Sequence, residues 1–429
     1  MKVYIETYGC RMNICDSEVI LSILLQDGHS QCFDIHQSDV IILNCCSVRE
    51  VGHERTFERL LEIDVIGLSD KKIIIAGCLA TQLNRKVFAE FPFVDIVVGP
   101  DSYRKLPVLL RAPKGIHAIV QENLSGEMYA DIVPSRTLED KITAAITVMK
   151  GCNQFCSYCI EPFTRGRERS RDPESILQEC KRIESAGYKE LTLVGHIIDR
   201  YQFGFAKLLG NISKQCPTLR IKYLSSHPIT YTDSILETVK RHGNIMRVVH
   251  LPLQSGSNVV LDRMNRGYTV EQYKEKFSRI KAEIPDISII TDIMVGFSGE
   301  TNEDFNQTVD IVRELEFDDI NVFAFSMRQG TAASQKYTDD IPDSTKEKRM
   351  MDIIRLRDQI KLQKYQRLIG KETFVFNEGL WHKDTDYCYG RDHYLRTCVF
   401  KKNEDIPINS PVRLCILSAT SSYLICECL

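Results

Sequence analysis

The N-terminal part of the chain alternates apolar runs with stretches of helical periodicity. Residues 40–43, 73–76 and 94–98 are apolar with almost no polar alternation, which is typical of strands covered by helices on both faces. Residues 17–25, before the first of these runs, carry apolar side chains at helical spacing. The pattern predicts an open parallel α/β domain over residues 1–112.

A change of rhythm divides the rest of the chain. Residues 113–137 contain prolines and glycines that interrupt regular structure, which predicts a linker. Residues 138–368 return to alternating strands and helices, and residues 369–429 contain short β-rich runs between turn residues. Candidate strands of the middle region lie at residues 145–149, 190–194, 220–224, 248–253, 287–293 and 320–325. These units predict an α/β fold with a partial (βα)6 barrel, since a closed barrel has eight units, and a small C-terminal all-β barrel.

Composition narrows the kind of partner that the chain can bind. The 429 residues are 43% hydrophobic and 26% charged, with a net charge of −3, so binding to nucleic acid requires a local patch of charge. No apolar run approaches the ~20 residues of a membrane helix, and the sequence begins without a signal-peptide pattern. We therefore expect a cytoplasmic monomer that makes no contact with a membrane.

Sixteen cysteines are unusual in a reducing compartment, where clustered cysteines indicate metal ligands or redox groups. Cys152, Cys156 and Cys159 form a Cys-x3-Cys-x2-Cys motif directly after the first barrel strand, at the strand end where barrels place their chemistry. Three thiolates on one tight loop hold three irons of a 4Fe–4S cube and leave the fourth iron open. Zinc would require a fourth ligand close by, and none follows. The spacing predicts an iron–sulfur cluster.

Three N-terminal cysteines predict a second cluster. Cys10, Cys46 and Cys78 follow the first three strands in turn, and the carboxyl ends of parallel strands converge on one crevice. Cys15 and Cys45 remain alternative ligands, although Cys45 should point away from the side of Cys46 if its backbone is extended. The other cysteines lack ligand spacing and are interpreted as packing residues: Cys32, Cys180, Cys216, Cys388, Cys398, Cys415, Cys426 and Cys428.

The motif around the barrel cysteines resembles that of the radical S-adenosylmethionine enzymes, and further motifs resemble one branch of them. They are Gly9-Cys10-Arg11-Met12-Asn13, Asn44-Cys45-Cys46-Ser47-Val48-Arg49-Glu50, Gly77-Cys78, Arg165-Gly166-Arg167-Glu168-Arg169-Ser170-Arg171, Ser226-His227-Pro228, Leu251-Pro252-Leu253-Gln254-Ser255-Gly256-Ser257 and Gly296-Phe297-Ser298-Gly299-Glu300-Thr301. Together they span essentially the whole chain and resemble the methylthiotransferases, most closely the tRNA type. The C-terminal segment resembles the TRAM module, an RNA-binding barrel, through Gly390-Arg391.

The resemblance implies a radical-SAM barrel between an N-terminal methylthiotransferase domain and a TRAM-like domain. The implied activity is radical-based insertion of a methylthio group at C2 of N6-isopentenyladenosine, at position 37 of tRNA, using two S-adenosylmethionine molecules. The implied cofactors are two 4Fe–4S clusters and S-adenosylmethionine. The implied partners are the tRNA anticodon stem-loop, a reductant such as flavodoxin or ferredoxin, and a sulfur donor. The target base must leave its stack to reach the barrel.

Site residues beyond the six cysteines are predicted from strand ends, from loop position and from the resemblance. The predicted cofactor-binding residues are Tyr158, Gly195, Ser226, Gln254 and Asp292. The predicted RNA-binding residues are Arg165, Arg167, Arg169 and Arg391. The first three of these arginines directly follow the barrel cysteines, which favours contact with phosphates beside the active site. Tyr158 is assigned to the cofactor's adenine by resemblance.

The sequence also departs from the family pattern and leaves other functions open. His196 and Asp199 replace amides in a segment that usually reads Gly-Gln-Asn-x-Asn, and Cys45 stands where Thr is usual. The alternatives are methylthiolation of threonylcarbamoyl-adenosine in tRNA or of a ribosomal-protein aspartate, and RNA binding by a non-catalytic iron–sulfur protein. Residues 345–369 carry eight basic against three acidic residues, which fits either a solvated helix or a face that supports tRNA.

Overall fold

The N-terminal domain is built on a parallel sheet. The computed structural model describes residues 1–47, 50–121, 126–136 and 142–429. The strands of this domain are β1 (Lys2–Tyr8), β2 (Ser30–Gln31), β3 (Val40–Cys45), β4 (Lys72–Ala76), β5 (Val94–Val98) and β6 (Ala118–Val120). Its helices are α1 (Arg11–Gln26), α2 (Glu50–Val65), α3 (Cys78–Leu83), α4 (Lys86–Glu90) and α5 (Leu106–Arg111). The sheet order is β2-β1-β3-β4-β5-β6 with parallel neighbours, which confirms the predicted open α/β architecture.

Both faces of this sheet are covered, which explains the apolar runs without polar alternation. Successive side chains of a strand point to opposite faces. Ile42 of β3 packs in the cluster that contains Leu24 of α1, whereas Ile41 packs in the cluster that contains Leu60 of α2. Each strand therefore needs apolar residues at consecutive positions.

The sheet extends into the segment that the sequence predicted as a linker. Strand β6 pairs with β5, and Tyr129 and Ile132 belong to the same core as α1. The Tyr129 hydroxyl donates to the carbonyl of Pro100 at 2.9 Å. The predicted boundary near residue 137 lies outside the described residues.

The middle of the chain forms an open barrel of parallel strands. Its strands are β7 (Thr143–Thr147), β10 (Glu190–Val194), β11 (Arg220–Tyr223), β12 (Val248–His250), β13 (Ser288–Val295) and β14 (Asp319–Ala324), and a small ribbon adds β8 (Met149–Lys150) and β9 (Arg169–Ser170). Its helices are α6 (Glu161–Thr164), α7 (Pro173–Ser185), α8 (Phe205–Gln215), α9 (Asp233–Arg241), α10 (Asn258–Arg263), α11 (Val270–Glu283), α12 (Asn302–Leu315), α13 (Ala332–Lys336) and α14 (Asp343–Gln366). The strands form two sheets, β11-β10-β7 and β12-β13-β14, as a partial (βα)6 barrel predicts.

Local sequence explains how the barrel helices begin and end. Helix α7 starts with Pro173, and the Asp172 side chain accepts a hydrogen bond from the Ser175 amide at 2.9 Å. Gly187 follows the end of the helix with a φ of 90°. Proline in the first turn and glycine beyond the last turn are the expected pair of signals. Among the described residues, no helix is long and apolar enough to cross a membrane.

The C-terminal segment folds as a curled, mainly antiparallel sheet. Its strands are β15 (Glu372–Phe376), β16 (Gly379–Trp381), β17 (Asp384–Arg391), β18 (Thr397–Lys401), β19 (Pro411–Ala419) and β20 (Leu424–Cys428). The order is β15-β19-β20-β18-β17-β16, with β18 and β20 parallel. Leu414, Phe400 and Leu424 are fully buried in its core. The predicted all-β unit is present in the form of a half-barrel.

Buried charges join this C-terminal sheet to the barrel. Glu190, fully buried at the start of β10, pairs with Arg220 and lies 3.5 Å from Nζ of Lys222. Burial lowers the pKa of Lys222 to about 8, against the opposing effect of Glu190. The Arg220 guanidinium also donates to the backbone carbonyl of Arg391 at 2.6 Å. One carboxylate therefore faces two buried cations, one of which binds the C-terminal sheet.

Replacing Glu190 with alanine should destabilise the protein by about 3–5 kcal/mol, because two buried cations then lose their partner. Urea unfolding followed by the fluorescence of Trp381 measures this loss, since Trp381 is the single tryptophan and lies in the C-terminal sheet. The control is Glu283→Ala, which breaks an exposed pair with Lys240 and should change the free energy of unfolding by less than about 1 kcal/mol. Equal losses in the two variants would contradict the role of Glu190.

Candidate iron–sulfur and cofactor site

The barrel cysteines are brought together by one tight loop. Cys152 and Cys156 are buried and Cys159 is half-buried. The Cys159 amide donates to the Cys156 carbonyl at 2.9 Å, and the Gln154 amide donates to Sγ of Cys152 at 3.4 Å. Phe155, inside the loop, has a φ of 49°, so the chain turns through a conformation that is strained for a side-chain-bearing residue.

Burial favours the protonated form of the thiols in this loop. Burial, and to a smaller extent the neighbouring Cys156, raises the pKa of Cys152 to about 11, and the same two causes raise the pKa of Cys159 well above its ordinary value. Thiolates so close together in a buried site need metal to hold them ionised. Among the described residues, no group of three or more histidine, cysteine, aspartate and glutamate side chains is placed to hold a single metal ion.

Arg266 is a neighbour of this loop that the sequence analysis missed. Its fully buried guanidinium donates to Sγ of Cys156 at 3.0 Å and to the Tyr158 hydroxyl at 3.4 Å. It also donates to the Tyr268 hydroxyl at 3.0 Å. Arg266 therefore orients both a predicted cluster ligand and the tyrosine assigned to the cofactor's adenine. Arg266 and Cys156 are 110 positions apart in the sequence, so no local motif predicted this contact.

The other predicted cofactor residues stand at the carboxyl ends of the barrel strands. Gly195 follows β10, where a Cβ would lie 2.7 Å from Cγ of Met149, so that only glycine fits. Gln254 has a φ of 77°, and its backbone N–H donates to the backbone carbonyl of Asp292 at 2.8 Å. The Asp292 side chain accepts from Nε2 of His250 at 2.9 Å, an arrangement that fixes the carboxylate at the strand end.

Buried polar atoms at this end of the barrel fit a polar ligand. Within the described part of the chain, Oε1 of Gln254, both ring nitrogens of His227 and Oγ1 of Thr192 are buried without a hydrogen-bond partner. Burial lowers the pKa of His227 to about 3, which keeps the ring neutral. Ser226, the other predicted residue here, is buried beside His227. Since native proteins satisfy most buried polar groups, these atoms are available to hydrogen-bond a polar ligand.

Two of the three departures from the family pattern, His196 and Asp199, have clear partners. His196 Nε2 lies 2.7 Å from Oε2 of Glu161, at the start of α6. Burial would raise the pKa of Glu161, but His196 and Arg165 outweigh this effect and the pKa lies below its ordinary value. Asp199 accepts from the His227 amide at 2.7 Å, and burial raises the pKa of Asp199 to about 7. His196 and Asp199 are therefore parts of the site rather than surface residues.

The N-terminal cysteines converge at the ends of β1, β3 and β4. Gly9 has a φ of 124°, and a Cβ there would overlap Cβ of Cys46, so this glycine lets the two strand ends meet. The Cys46 thiol hydrogen-bonds Cys10 and lowers the pKa of Cys10 to about 6. Cys78 begins α3 and is buried, and its charge opposes the ionisation of Cys46. The predicted set of three is thus gathered at one place.

The two alternative ligands lie elsewhere. Cys15 packs with Met12, Ala145 and Val194 at the contact between α1 and the barrel, and Cys45 packs in the core on the α2 side of the sheet. Burial raises the pKa of both thiols to about 12. Both behave as small apolar residues. In the neighbouring motif, Val48 and Arg49 lie outside the described residues.

Helix α6 lies between the two sets of cysteines. Its first residue, Glu161, follows Cys159 by two positions, and its carboxylate opposes ionisation of Cys159, Cys46 and Cys78. Just beyond its end, Nε of Arg165 donates to Sγ of Cys78 at 2.9 Å. Residues at the two ends of this single helical turn therefore lie near cysteines of both sets.

The structure places the predicted RNA-binding arginines in four different environments. Arg165 is 1% exposed and pairs with Asp16, so its guanidinium cannot contact a phosphate on the surface. Arg169 pairs with Asp101 at 2.6 Å. Arg167 is exposed and lies over the ring of Phe155 at 4.4 Å. Arg391 pairs with Glu378 beside the barrel. Of these four arginines, only Arg167 is placed for the predicted contact with phosphates. The other three are buried or held in ion pairs.

The predicted basic segment forms helix α14, and several of its basic side chains pack against the barrel instead of facing solvent. Lys346, Arg349 and Lys361 of α14 are buried. They pair with Asp339, Glu300 and Asp319 respectively. Much of the local positive charge that the sequence revealed is therefore neutralised by the barrel.

An aromatic patch on the C-terminal sheet escaped the sequence analysis. The Trp381 ring lies 5.6 Å from Tyr389 and 5.3 Å from Tyr423. Nζ of Lys383 lies over Trp381 and Tyr423 at 5.9 and 5.5 Å. The three rings are half-buried and the lysine is exposed, so the patch presents aromatic faces and a positive charge to solvent.

Comparisons with known proteins agree with this geometry. The Radical SAM superfamily matches residues 146–312, and a family described as "Uncharacterized protein family UPF0004" matches residues 2–99. A tRNA-2-methylthio-N(6)-dimethylallyladenosine synthase of Azobacteroides pseudotrichonymphae is 38% identical over 415 residues, which cover 94% of this chain and 92% of that protein. A protein of the same name from Chloroherpeton thalassium is 38% identical over 432 residues, covering 99% of this chain and 95% of that protein.

Solved structures share the fold. The radical S-adenosylmethionine methyltransferase TsrM from Kitasatospora setae, with cobalamin and a [4Fe-4S] cluster bound, has a TM-score of 0.57 at 14% identity and covers 75% of this chain and 74% of that chain. The cobalamin-dependent radical enzyme OxsB has a TM-score of 0.54 at 13% identity, over 83% of this chain and 56% of that chain.

These findings confirm the family that the motifs predicted, and with it the α/β radical-SAM fold, a sulfur-group transferase, and S-adenosylmethionine with iron–sulfur clusters as cofactors. Identity above a third, over nearly the full length of both proteins, leaves one conclusion. The chain belongs to the tRNA-2-methylthio-N(6)-dimethylallyladenosine synthase family, within the radical S-adenosylmethionine superfamily.

Proposed function

We propose that the chain inserts a methylthio group at C2 of N6-isopentenyladenosine, at position 37 of tRNA, and uses two S-adenosylmethionine molecules for each product. The observation that carries this proposal is the pairing of two cysteine sets, Cys152–Cys156–Cys159 and Cys10–Cys46–Cys78, across helix α6. A reaction that joins sulfur to an unactivated carbon needs one site that makes a substrate radical and a second site that holds the sulfur. The near full-length relatives bear the name of that reaction.

The residues of this chain divide the work between holding the cofactor and placing the base. When bound, adenosylmethionine and the two clusters supply the radical that removes a hydrogen atom from the base and the methylthio group that replaces it. Arg266 holds Cys156 and Tyr158 in place through hydrogen bonds of 3.0 and 3.4 Å. Asp292, fixed by His250, and the free side-chain oxygen of Gln254 bind polar groups of the cofactor.

The Glu161–His196 pair bounds the space into which the target base enters. Glu161 is buried, His196 is half-buried, and the pair lies near both sets of cysteines, so an adenosine presented there must first be extruded from its stack. A hydrogen bond of 2.7 Å joins the two side chains. This bond holds the polar groups of Glu161 and His196 in fixed positions beside the base. Fixed donors and acceptors of this kind position a reacting base with little rearrangement.

Two surface features support binding of the tRNA. The Trp381–Tyr389–Tyr423 patch with Lys383 has the composition of a base-stacking surface, with a cation beside the rings. Arg167, exposed directly beside the barrel cysteines, suits a phosphate contact. We assign tRNA binding to these two places in addition to the TRAM-like resemblance of the sheet.

The remaining partners follow from the chemistry of the proposed reaction. A one-electron reductant such as flavodoxin or ferredoxin must reduce the barrel cluster, and a sulfur donor must renew the sulfur on the N-terminal cluster. Free cysteines in these numbers suit a reducing compartment, so we place the protein in the cytoplasm, as a monomer. Nucleoside mass spectrometry of tRNA from cells lacking the gene tests the substrate. If those cells lose only the methylthio derivative of threonylcarbamoyl-adenosine, that nucleoside is the substrate and the isopentenyladenosine assignment is wrong.

Anaerobic reconstitution should yield about eight irons per chain, because each set of three cysteines holds a four-iron cube. Alanine at Cys152, Cys156 and Cys159 together should lower the content to about four, and alanine at Cys10, Cys46 and Cys78 should do the same. Iron analysis with zinc measured alongside provides the check. A wild-type content near four, or stoichiometric zinc, would contradict the two-cluster proposal.

The two sets of cysteines should have separable tasks. Cys156→Ala should abolish both 5′-deoxyadenosine formation and methylthiolation, because no radical forms without the barrel cluster. Cys46→Ala should retain 5′-deoxyadenosine formation but lose methylthiolation, because the sulfur has no site. Both products are quantified by mass spectrometry in each variant. Cys45→Ala is the matched control and should retain both activities, since Cys45 packs in the core; full methylthiolation by Cys46→Ala would reject the N-terminal cluster.

Charge and stacking contributions to tRNA binding should differ in their salt dependence. Arg167→Ala should weaken binding and reduce the salt slope by about one unit, because one phosphate contact is lost. Trp381→Ala should weaken binding by about 1–3 kcal/mol with the slope unchanged, because base stacking releases no counterions. Titrations at several salt concentrations measure both quantities. Phe33→Ala, at an exposed aromatic residue of the N-terminal domain, is the control, and equal affinity in all three variants would remove both assignments.

A further inference from the structure

A buried arginine links the two halves of the site. Arg165 is among the largest fully buried side chains of the described residues. Its Nε donates to Sγ of Cys78 at 2.9 Å, and its Nη1 lies 2.7 Å from Oδ2 of Asp16 in helix α1. The arginine belongs to the barrel segment, whereas Cys78 and Asp16 belong to the N-terminal domain. A charged donor from one domain thus contacts a cluster ligand of the other.

Charged side chains of both signs lie around Cys78. Asp16 is shared, because Nζ of Lys150 lies 3.7 Å from its Oδ1 and the Tyr103 hydroxyl donates to its Oδ2 at 3.2 Å. All of these side chains are buried. One carboxylate therefore faces two buried cations, Arg165 and Lys150. The Arg165 guanidinium donates directly to Sγ of Cys78, where it favours negative charge on the sulfur and on any cluster bound to it, against the opposing charges of Glu161 and Asp16.

The segment that carries Arg165 also supports the barrel cysteines. The Cys152 amide donates to the Gly166 carbonyl at 3.1 Å. A Cβ at Gly151 would overlap the Arg167 carbonyl, so glycine is required for the two loops to touch. Glu168 accepts from the Asn153 amide at 3.0 Å. The same short stretch of chain therefore contacts ligands, or the loops that hold them, in both sets of cysteines.

We propose that Arg165 is a positioning residue that tunes the N-terminal cluster and fixes it relative to the barrel. Hydrogen bonds from charged donors to a ligand sulfur stabilise the reduced, more negative state of an iron–sulfur cluster and so raise its reduction potential. The guanidinium is suited to this task because it stays charged when buried and holds two partners in a fixed geometry. The inference rests on the proposed function only in requiring a cluster on Cys10, Cys46 and Cys78.

The test measures the potential of the N-terminal cluster by itself. The full chain with Cys152, Cys156 and Cys159 changed to alanine retains that cluster alone, and redox titration followed by electron paramagnetic resonance gives its potential. Arg165→Gln should shift the potential downward, because the charged donor is lost. Asp16→Asn should shift it upward, because the competing negative charge is lost. Shifts of opposite sign distinguish electrostatic tuning from general loosening, which would move both variants in the same direction.

Arg169→Gln is the matched control. It breaks an ion pair of the same segment, with Asp101 of the N-terminal domain, but does not touch Cys78, so the potential should stay at the wild-type value. An unchanged potential in Arg165→Gln with the cluster intact would overturn the proposal, as would an equal shift in Arg169→Gln. If Arg165→Gln fails to assemble the cluster, Asp16→Asn provides the test by itself. An upward shift of the potential in Asp16→Asn would support the proposal, and an unchanged or lower potential would overturn it. Because the readout involves neither tRNA nor product, failure here leaves the proposed reaction to its own tests.

Discussion

Parallel-strand topology is the constraint on which the whole site depends. A parallel sheet sends all its strands in one direction, so the loops at their carboxyl ends meet at one edge. The N-terminal sheet uses this edge to gather Cys10, Cys46 and Cys78, and the barrel uses its own edge to present Cys152–Cys159. Packing the two edges against α6 lets one short helical turn face both sets of ligands. Neither domain by itself contains both halves of the chemistry.

Local strain and close backbone approach accompany this arrangement. Phe155, Ser225 and Gln254 adopt positive φ angles at the mouth of the barrel, where such conformations cost free energy that the surrounding packing must offset. Gly9 and Gly151 stand where any side chain would collide with a neighbouring loop. These five residues lie in or beside the loops that carry the cysteines and the strand-end polar residues, where backbone geometry must place sulfur and polar atoms accurately.

Buried ion pairs fix the orientation of the three domains relative to one another. The Arg165–Asp16 and Arg169–Asp101 pairs join the N-terminal domain to the barrel, and the Glu190–Arg220 pair joins the barrel to the C-terminal sheet. Breaking one partner of such a pair leaves an uncompensated charge in a medium of low polarity. The pairs therefore oppose separation of the domains, because separation would leave these buried charges without their partners.

The sequence by itself determined the elements whose information is local. Apolar runs predicted the buried strands β3, β4 and β5, and the position of Cys10, Cys46 and Cys78 after successive strands predicted their convergence. The Cys-x3-Cys-x2-Cys spacing placed three cysteines on one loop at a barrel strand end, and their role as cluster ligands stays a prediction. Motif resemblance identified the family, which the near full-length relatives confirm.

Tertiary structure alone decided which charged side chains are available to a partner. Arg165 follows the cysteine motif like an exposed loop residue, yet it is buried against Cys78, 87 positions away. Arg266 reaches Cys156 across 110 positions, and Arg391 is taken up by Glu378 and the barrel. The physical reason is that periodicity reports how a residue relates to its own helix or strand, whereas burial and ion pairing depend on which distant segment the fold brings beside it.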